Sequence, residues 1–290
     1  MVSEIAIVSG KGGTGKTTIA AAFVAIADNI VMADCDVDAP DLHILLHPDI
    51  QETQEFISSK AASIDKDLCT ECGLCEQSCR FDAITVPNID PIACEGCGVC
   101  EFVCPEGAIS MRDKTSGHLF RSSTEYGPMS HAKLLPGEGN SGKLVTSVRE
   151  QGKELAKSIN QDIILIDGSP GIGCPVIATI AGLKMGIVVT EPTLSGIHDM
   201  KRVLELMKRF NVRSAVIINK YDINEENTAD IERYCQGNDI EILGRVPFDR
   251  VMTDSMVQGK TVPKYAPDHR ITRILEEMWK RTKKIVQSIA

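Results

Sequence analysis

The stretch Ile5-Ala6-Ile7-Val8-Ser9-Gly10-Lys11-Gly12-Gly13-Thr14-Gly15-Lys16-Thr17-Thr18 decides how the rest of the chain is read. Residues 5–8 form an apolar run of strand length, a glycine loop follows, and residues 16–27 are alanine-rich with helical composition. Glycines carry no Cβ, so consecutive backbone N–H groups can turn inward around phosphate oxygens. The helix beginning at Lys16 adds its positive dipole end. In this G-x4-G-K-T arrangement Lys16 is expected to reach the β- and γ-phosphates, and Thr17 to offer its hydroxyl to Mg²⁺. The predicted nucleotide-binding segment is therefore Gly10, Lys11, Gly12, Gly13, Thr14, Gly15, Lys16, Thr17 and Thr18.

Further apolar runs extend the pattern. Residues 30–33 lead into Asp34-Cys35-Asp36, and 163–166 into Asp167. Residues 187–190 form another run, 215–218 lead into Asn219-Lys220, and 240–246 into Pro247-Phe248-Asp249. Helices are expected over 143–159, 175–183, 195–210 and 271–289. Short apolar strands alternating with helices predict an α/β fold with a doubly wound, mainly parallel sheet. Ligands bind such sheets at the carboxyl ends of the strands, where the glycine loop, Asp34, Asp36, Asp167 and Asn219 all fall.

Residues 64–111 differ in character. Eight cysteines lie in two C-x2-C-x2-C-x3-C runs, Cys69, Cys72, Cys75, Cys79 and Cys94, Cys97, Cys100, Cys104. Each position in the first run recurs 25 residues later, as in Cys72-Gly73 and Cys97-Gly98 or Ala83-Ile84 and Ala108-Ile109. At this spacing three thiolates wrap one cubane and the fourth serves the other. One [4Fe–4S] cluster is expected on Cys69, Cys72, Cys75 and Cys104, and a second on Cys94, Cys97, Cys100 and Cys79. Structural zinc is the alternative, but it leaves the third cysteine of each run without a purpose. The runs differ at one place: Cys104 precedes Pro105, whereas Cys79 precedes Arg80. The chain thus divides into an α/β domain over 1–60 and 114–290, with a small α+β cysteine domain inserted over 61–113. Residues 114–142 carry loop composition.

Lys11-Gly12-Gly13-Thr14-Gly15-Lys16-Thr17 resembles the deviant phosphate loop of the MinD/ParA family, which includes the nitrogenase iron protein and the Mrp-type cluster carriers. The resemblance implies binding and hydrolysis of Mg-ATP, slow unless the protein is dimerised or stimulated by a partner. It implies an ATP-dependent homodimer in which Lys11 reaches the partner's nucleotide. Asp36 matches the aspartate that positions the attacking water, and Asp167 the one that holds Mg²⁺. Lys11, Lys16, Asp36 and Asp167 are accordingly the expected catalytic residues. Asn219 and Pro247 resemble base-binding elements. The cysteine segment resembles bacterial two-cluster ferredoxins. The pairing predicts a nucleotide switch coupled to electron transfer, with a redox or cofactor-assembly protein as partner. Two alternatives are an iron–sulfur carrier or assembly ATPase and a ParA/MinD-type positioning ATPase.

A net charge of −9 over 290 residues argues against nucleic acid as a partner. The sequence contains no leader pattern and no long apolar run, which makes a cytoplasmic protein the expectation. Of the three remaining cysteines, Cys35 and Cys235 suit structural filling, and Cys174 leaves a bridging role open. The basic amphipathic stretch at 271–289 suits packing on the sheet better than membrane binding. The polar run Asn140-Ser141-Gly142-Lys143 reads equally as a functional or a plain surface loop.

Overall fold

The computed structural model describes residues 2–27, 30–139 and 141–289. The chain begins β1 (Ser3–Ser9), α1 (Lys16–Ile26), β2 (Val31–Cys35), α2 (Leu42–Leu46) and β3 (Asp49–Ile64). The cysteine segment follows with α3 (Leu74–Ser78), β4 (Ile84–Thr85), β5 (Asn88–Ile89) and α4 (Val99–Val103), and then β6 (Ile109–Thr124) and β7 (Gly127–Leu134). The remainder is α5 (Ser141–Ser158), β8 (Ile163–Pro170), α6 (Cys174–Ile180), β9 (Met185–Thr190), α7 (Leu194–Arg209) and β10 (Arg213–Asn219). A 3-10 turn (Tyr221–Ile223), α8 (Glu225–Gly237), β11 (Glu241–Val246), α9 (Arg250–Val257), α10 (Val262–Tyr265) and α11 (Arg270–Ile289) complete it.

Two compact units result, one from residues Met1–Thr53, Leu119–Lys133 and Ser141–Ala290, the other from Gln54–His118 and Leu134–Asn140. The nine-stranded sheet has the order β11-β10-β9-β1-β8-β2-β7-β6-β3. β1 pairs in parallel with β8 and β9, β2 with β8 and β7, and β10 with β9 and β11. Strands buried on both faces need continuous apolar runs, and β1, β2 and β9 are buried at every position. The mainly parallel α/β fold expected from the sequence is the fold observed. β1 leads into the phosphate loop, Asp34 is the penultimate residue of β2 and Asn219 the last of β10, whereas β8 continues past Asp167, expected at its end, to Pro170; the register of these strands sets the spacing of those groups.

The core of the first unit lies under α1 and α11, where Phe23 and Trp279 pack with ring centroids 5.4 Å apart. Ile271, Leu275, Met278, Trp279, Ile285 and Val286 of α11 are buried, while Arg273, Lys280, Lys283 and Lys284 face solvent. The apolar face of this amphipathic helix is thus spent on the core. Among the described residues no helix is long and apolar enough to cross a membrane.

The loop expectation for 114–142 needs correction. β6 continues to Thr124, turns at Glu125-Tyr126 and returns as β7. Ser, Thr and Gly spread through this hairpin hide the alternation that marks a half-buried strand. Helix α8 was also not anticipated. It buries only Thr228, Ile231 and Cys235, and its clearest sequence signal is the cap, where Asn224 Oδ1 accepts from Asn227 N at 2.9 Å. Asn140 of the polar run lies outside the described residues; Ser141 and Gly142 open α5.

In the second unit the order β3-α3-β4-β5-α4-β6 expresses the 25-residue repeat as repeated backbone geometry. Gly73 and Gly98 both have φ of 76°. The N–H groups of Gln77 and Phe102 reach Gly73 O and Gly98 O at 3.1 and 3.2 Å. Glu76 and Glu101 accept from Val86 N and Met111 N, each at 3.2 Å. A small core of Ala62, Cys75, Ile84, Cys100 and Ile109 joins the halves.

Candidate nucleotide site and cysteine cavities

The phosphate loop turns at Gly13 and Gly15, with φ of 80° and 88°. Gly15 also makes a close approach, since a Cβ there would sit 2.3 Å from Asn219 Nδ2. That amide donates to Thr14 O at 2.8 Å, and its oxygen accepts from Lys220 N at 3.0 Å. Asn219, predicted as a base contact, therefore clamps the loop to the end of β10. Phe248 N, just beyond Pro247, donates to Asp222 Oδ1 at 2.6 Å, and Asp249 caps α9 through Val251 N.

Lys16 is buried at the start of α1. Its Nζ lies 2.7 Å from Asp167 Oδ1, 3.6 Å from Asp36 Oδ2 and 3.2 Å from Thr17 Oγ1. Burial alone would lower its pKa, but Asp167 and Asp36 outweigh this and hold the ammonium charged. Asp34 and Asp167 are register partners on β2 and β8. Burial first, then the Asp167 charge, pushes the Asp34 carboxyl well above the usual carboxylate range. Asp34 Oδ1 accepts from Asp36 N at 3.1 Å, which fixes the turn after β2. Asp36 is less enclosed, and burial moves it up to about 6. Two further bonds tie the segments together: Ser169 Oγ donates to Cys35 O at 2.9 Å, and Gly171 N to Ser9 O at 2.8 Å.

The predicted Lys11, Lys16, Thr17, Asp36 and Asp167 thus meet in one region at the carboxyl ends of the strands, though Lys11 points elsewhere within it. Its Nζ lies 2.8 Å from Glu191 Oε1. Glu191 was missed by sequence reasoning; its one signal is its position directly after β9. Thr14 Oγ1 and Asp167 Oδ2 are buried without a protein hydrogen-bond partner. Buried polar atoms normally find partners, and Mg-nucleotide bound in the loop would supply them. The residues fit that ligand.

The cysteines of the second unit sort into two cavities. One is lined by Cys69, Cys72, Cys75 and Cys104 with Val86, Pro105 and Ile109. The other is lined by Cys79, Cys94, Cys97 and Cys100 with Phe81, Val99 and Met111. Each cavity takes three cysteines from one repeat and one from the other. Burial raises the Cys75 and Cys100 thiols. Ala108 N donates to Cys104 Sγ at 3.3 Å. Among the described residues no three His, Cys, Asp or Glu side chains converge closely enough for a single metal ion. Four thiols around an apolar cavity suit a polynuclear iron–sulfur group.

Comparison with known proteins agrees with the loop and sheet. Residues 5–262 match the CobQ/CobB/MinD/ParA nucleotide-binding domain, and the chain belongs to this family. It is 36% identical over 252 residues to the uncharacterized protein MJ0578 of Methanocaldococcus jannaschii, covering 86% of each chain. It is 22% identical to an iron-sulfur cluster carrier protein of Pyrococcus horikoshii, over 85% of this chain and 74% of that one. Among solved structures, the septum site-determining protein MinD of Pyrococcus horikoshii, complexed with Mg-ADP, superposes with a TM-score of 0.56 at 19% identity. That match covers 100% of this chain and 99% of the other, and establishes a shared fold.

Proposed function

We propose that this protein is an ATPase whose nucleotide state governs electron transfer through two [4Fe–4S] clusters in the inserted cysteine domain. The observation that carries the reading is the sorting of eight cysteines into two four-thiol cavities, in the crossed pattern expected of a two-cluster ferredoxin. When present, the clusters would supply one-electron redox chemistry; Cys69, Cys72, Cys75 and Cys104 would hold one, and Cys94, Cys97, Cys100 and Cys79 the other.

On the nucleotide side, the backbone N–H groups of residues 10–15 receive phosphate oxygens. Lys16 swings from Asp167 toward the β- and γ-phosphates; Asp167 and Thr17 would hold Mg²⁺, which when bound would neutralise phosphate charge. Asp36 orients the attacking water. Lys11 completes the partner's site in an ATP-dependent homodimer, where it neutralises charge developing on the transferred phosphoryl group. Asn219 and the Pro247 loop frame the base. Hydrolysis moves the segments after β2 and β8, which Ser169 couples through Cys35 O.

The test is an anaerobic redox titration followed by EPR, without nucleotide, with MgADP and with a nonhydrolysable MgATP analogue. A nucleotide-dependent potential or line shape is the expected result. Identical titrations and nucleotide-independent reduction of the protein's electron acceptor would reject coupling. A second reading, delivery of an iron–sulfur cluster to an acceptor protein, is favoured by the similarity to the cluster carrier. It predicts iron transfer to an apo-ferredoxin, whereas the main reading predicts retention of the clusters.

A further inference from the structure

Lys11 is fully occupied within its own subunit. Besides Glu191 Oε1 at 2.8 Å, its Nζ meets Thr193 Oγ1 at 3.2 Å and Ser195 Oγ at 3.0 Å. An ammonium has three N–H donors, and these three oxygens can take all of them. Glu191 is nearly buried, and its second oxygen accepts from Lys220 Nζ at 2.9 Å. Lys220 donates in turn to Gly13 O of the phosphate loop at 3.1 Å. Burial would raise the Glu191 carboxyl, but hydrogen bonds from the two lysines hold it below its ordinary range.

We propose that Glu191 is a positioning residue for Lys11, seating its ammonium in cis until a second copy of this chain presents bound nucleotide, with Lys220 left behind to neutralise the carboxylate. The inference deepens the ATP-dependent dimer reading and rests on it. Two observations carry it. The seat is complete: the three donors of the Lys11 ammonium are all taken within its own subunit. The seat also has two cations on one carboxylate. A buried carboxylate stripped of its only counter-charge is strongly destabilising; Lys220 removes that obstacle to release. A nucleotide phosphate carries more negative charge than a carboxylate and makes stronger charge-assisted hydrogen bonds. Lys11 therefore has two discrete positions whose populations shift with partner binding. Weakening the cis position favours the crossed one by mass action.

Two readouts on the full-length protein test this. Labelling of Lys11 by acetic anhydride, followed by mass spectrometry without nucleotide, reports the seat alone. Sedimentation with a nonhydrolysable MgATP analogue reports release. Glu191→Gln should label at Lys11 several-fold faster and dimerise at several-fold lower protein concentration than the native chain. Ser195→Ala, which leaves the Glu191–Lys220 pair and the Thr193 cap of α7 intact, should shift both the same way by less, and serves if Glu191→Gln fails to fold. Unchanged labelling in the folded variants overturns the seat. Faster labelling with unchanged or weaker dimerisation overturns its coupling to release. A native chain that stays monomeric with the analogue rejects the dimer and the release step with it, while the labelling still judges the seat separately.

Discussion

Asp34 and Asp167 face each other in register across β2 and β8, both at 1% exposure, with the Lys16 ammonium 2.7 Å from Asp167 Oδ1. One cation cannot compensate every carboxylate in this dry region, and burial together with the Asp167 charge raises the Asp34 carboxyl, favouring its protonated form. Asp34→Asn retains an acceptor for Asp36 N and should change unfolding free energy by less than about 1 kcal/mol at neutral pH, because burial and the Asp167 charge favour the uncharged carboxyl and the amide is uncharged as well. Lys16→Met strands Asp167 and should cost about 3–5 kcal/mol, as for other buried pairs broken on one side. Urea unfolding of the nucleotide-free protein checks both. A cost for Asp34→Asn as large as that for Lys16→Met would mean that Asp34 is ionised.

The pH profile contains two opposed slopes. Asp36 is raised from 3.8 to about 6, so its native form binds the proton more tightly than the unfolded chain. Its contribution to stability is full below pH ~4 and lost as pH rises to ~6. Asp34 acts in the same direction. His131 is lowered by burial from 6.5 to about 4, so the unfolded chain binds its proton more tightly. Its neutral form favours the folded state above pH ~6.5, an advantage lost as pH falls to ~4. Denaturation midpoints between pH 4 and 7 should rise more steeply with pH in Asp36→Asn than in the native chain. The rise with pH should be smaller in His131→Gln than in the native chain, because the His131 contribution is gone while those of Asp36 and Asp34 remain.

Crossed cavities make a prediction about single cysteines. Cys79 sits in sequence with Cys69, Cys72 and Cys75, but lines the cavity of Cys94, Cys97 and Cys100. After anaerobic reconstitution, Cys79→Ser should perturb the same EPR signal as Cys97→Ser and leave the signal altered by Cys72→Ser unchanged. An in-line arrangement would give the opposite grouping.

Arg80 and Pro105 occupy equivalent places in the repeat, after Cys79 and Cys104. A cation near a cluster favours its more negative, reduced form. The cavity containing Cys79 should therefore hold the cluster of higher potential, and Arg80→Pro should lower that potential while leaving its partner's nearly unchanged. Redox titration monitored by EPR reads both values. An unshifted pair would remove Arg80 as a determinant.

The phosphate loop and the parallel strands were legible because their information is local. An apolar run, Gly13 and Gly15 at a forced turn, and a helix start at Lys16 all fall within a few residues. The eight cysteines were legible by spacing. Strand β3 was not, because its residues from Asp49 to Glu55 are all exposed and their polar sequence has no buried alternation. Glu191 was not legible because its meaning comes from Lys11 and Lys220, residues far away in sequence that only the sheet order brings beside it. Asp34 stood visibly at a strand end, but the upward shift of its carboxyl comes from burial and from Asp167 across the register.

The threefold-plus-one lining of each cysteine cavity bears on how such a unit could have arisen. A single ancestral half, carrying one C-x2-C-x2-C-x3-C run, would have had three thiols at its own cavity and a fourth pointing toward another molecule's. It could complete a site only by pairing with an identical peptide. Fusion of two copies would turn that intermolecular requirement into an intramolecular one and leave the halves free to diverge. Arg80 opposite Pro105 is a place where the two halves differ.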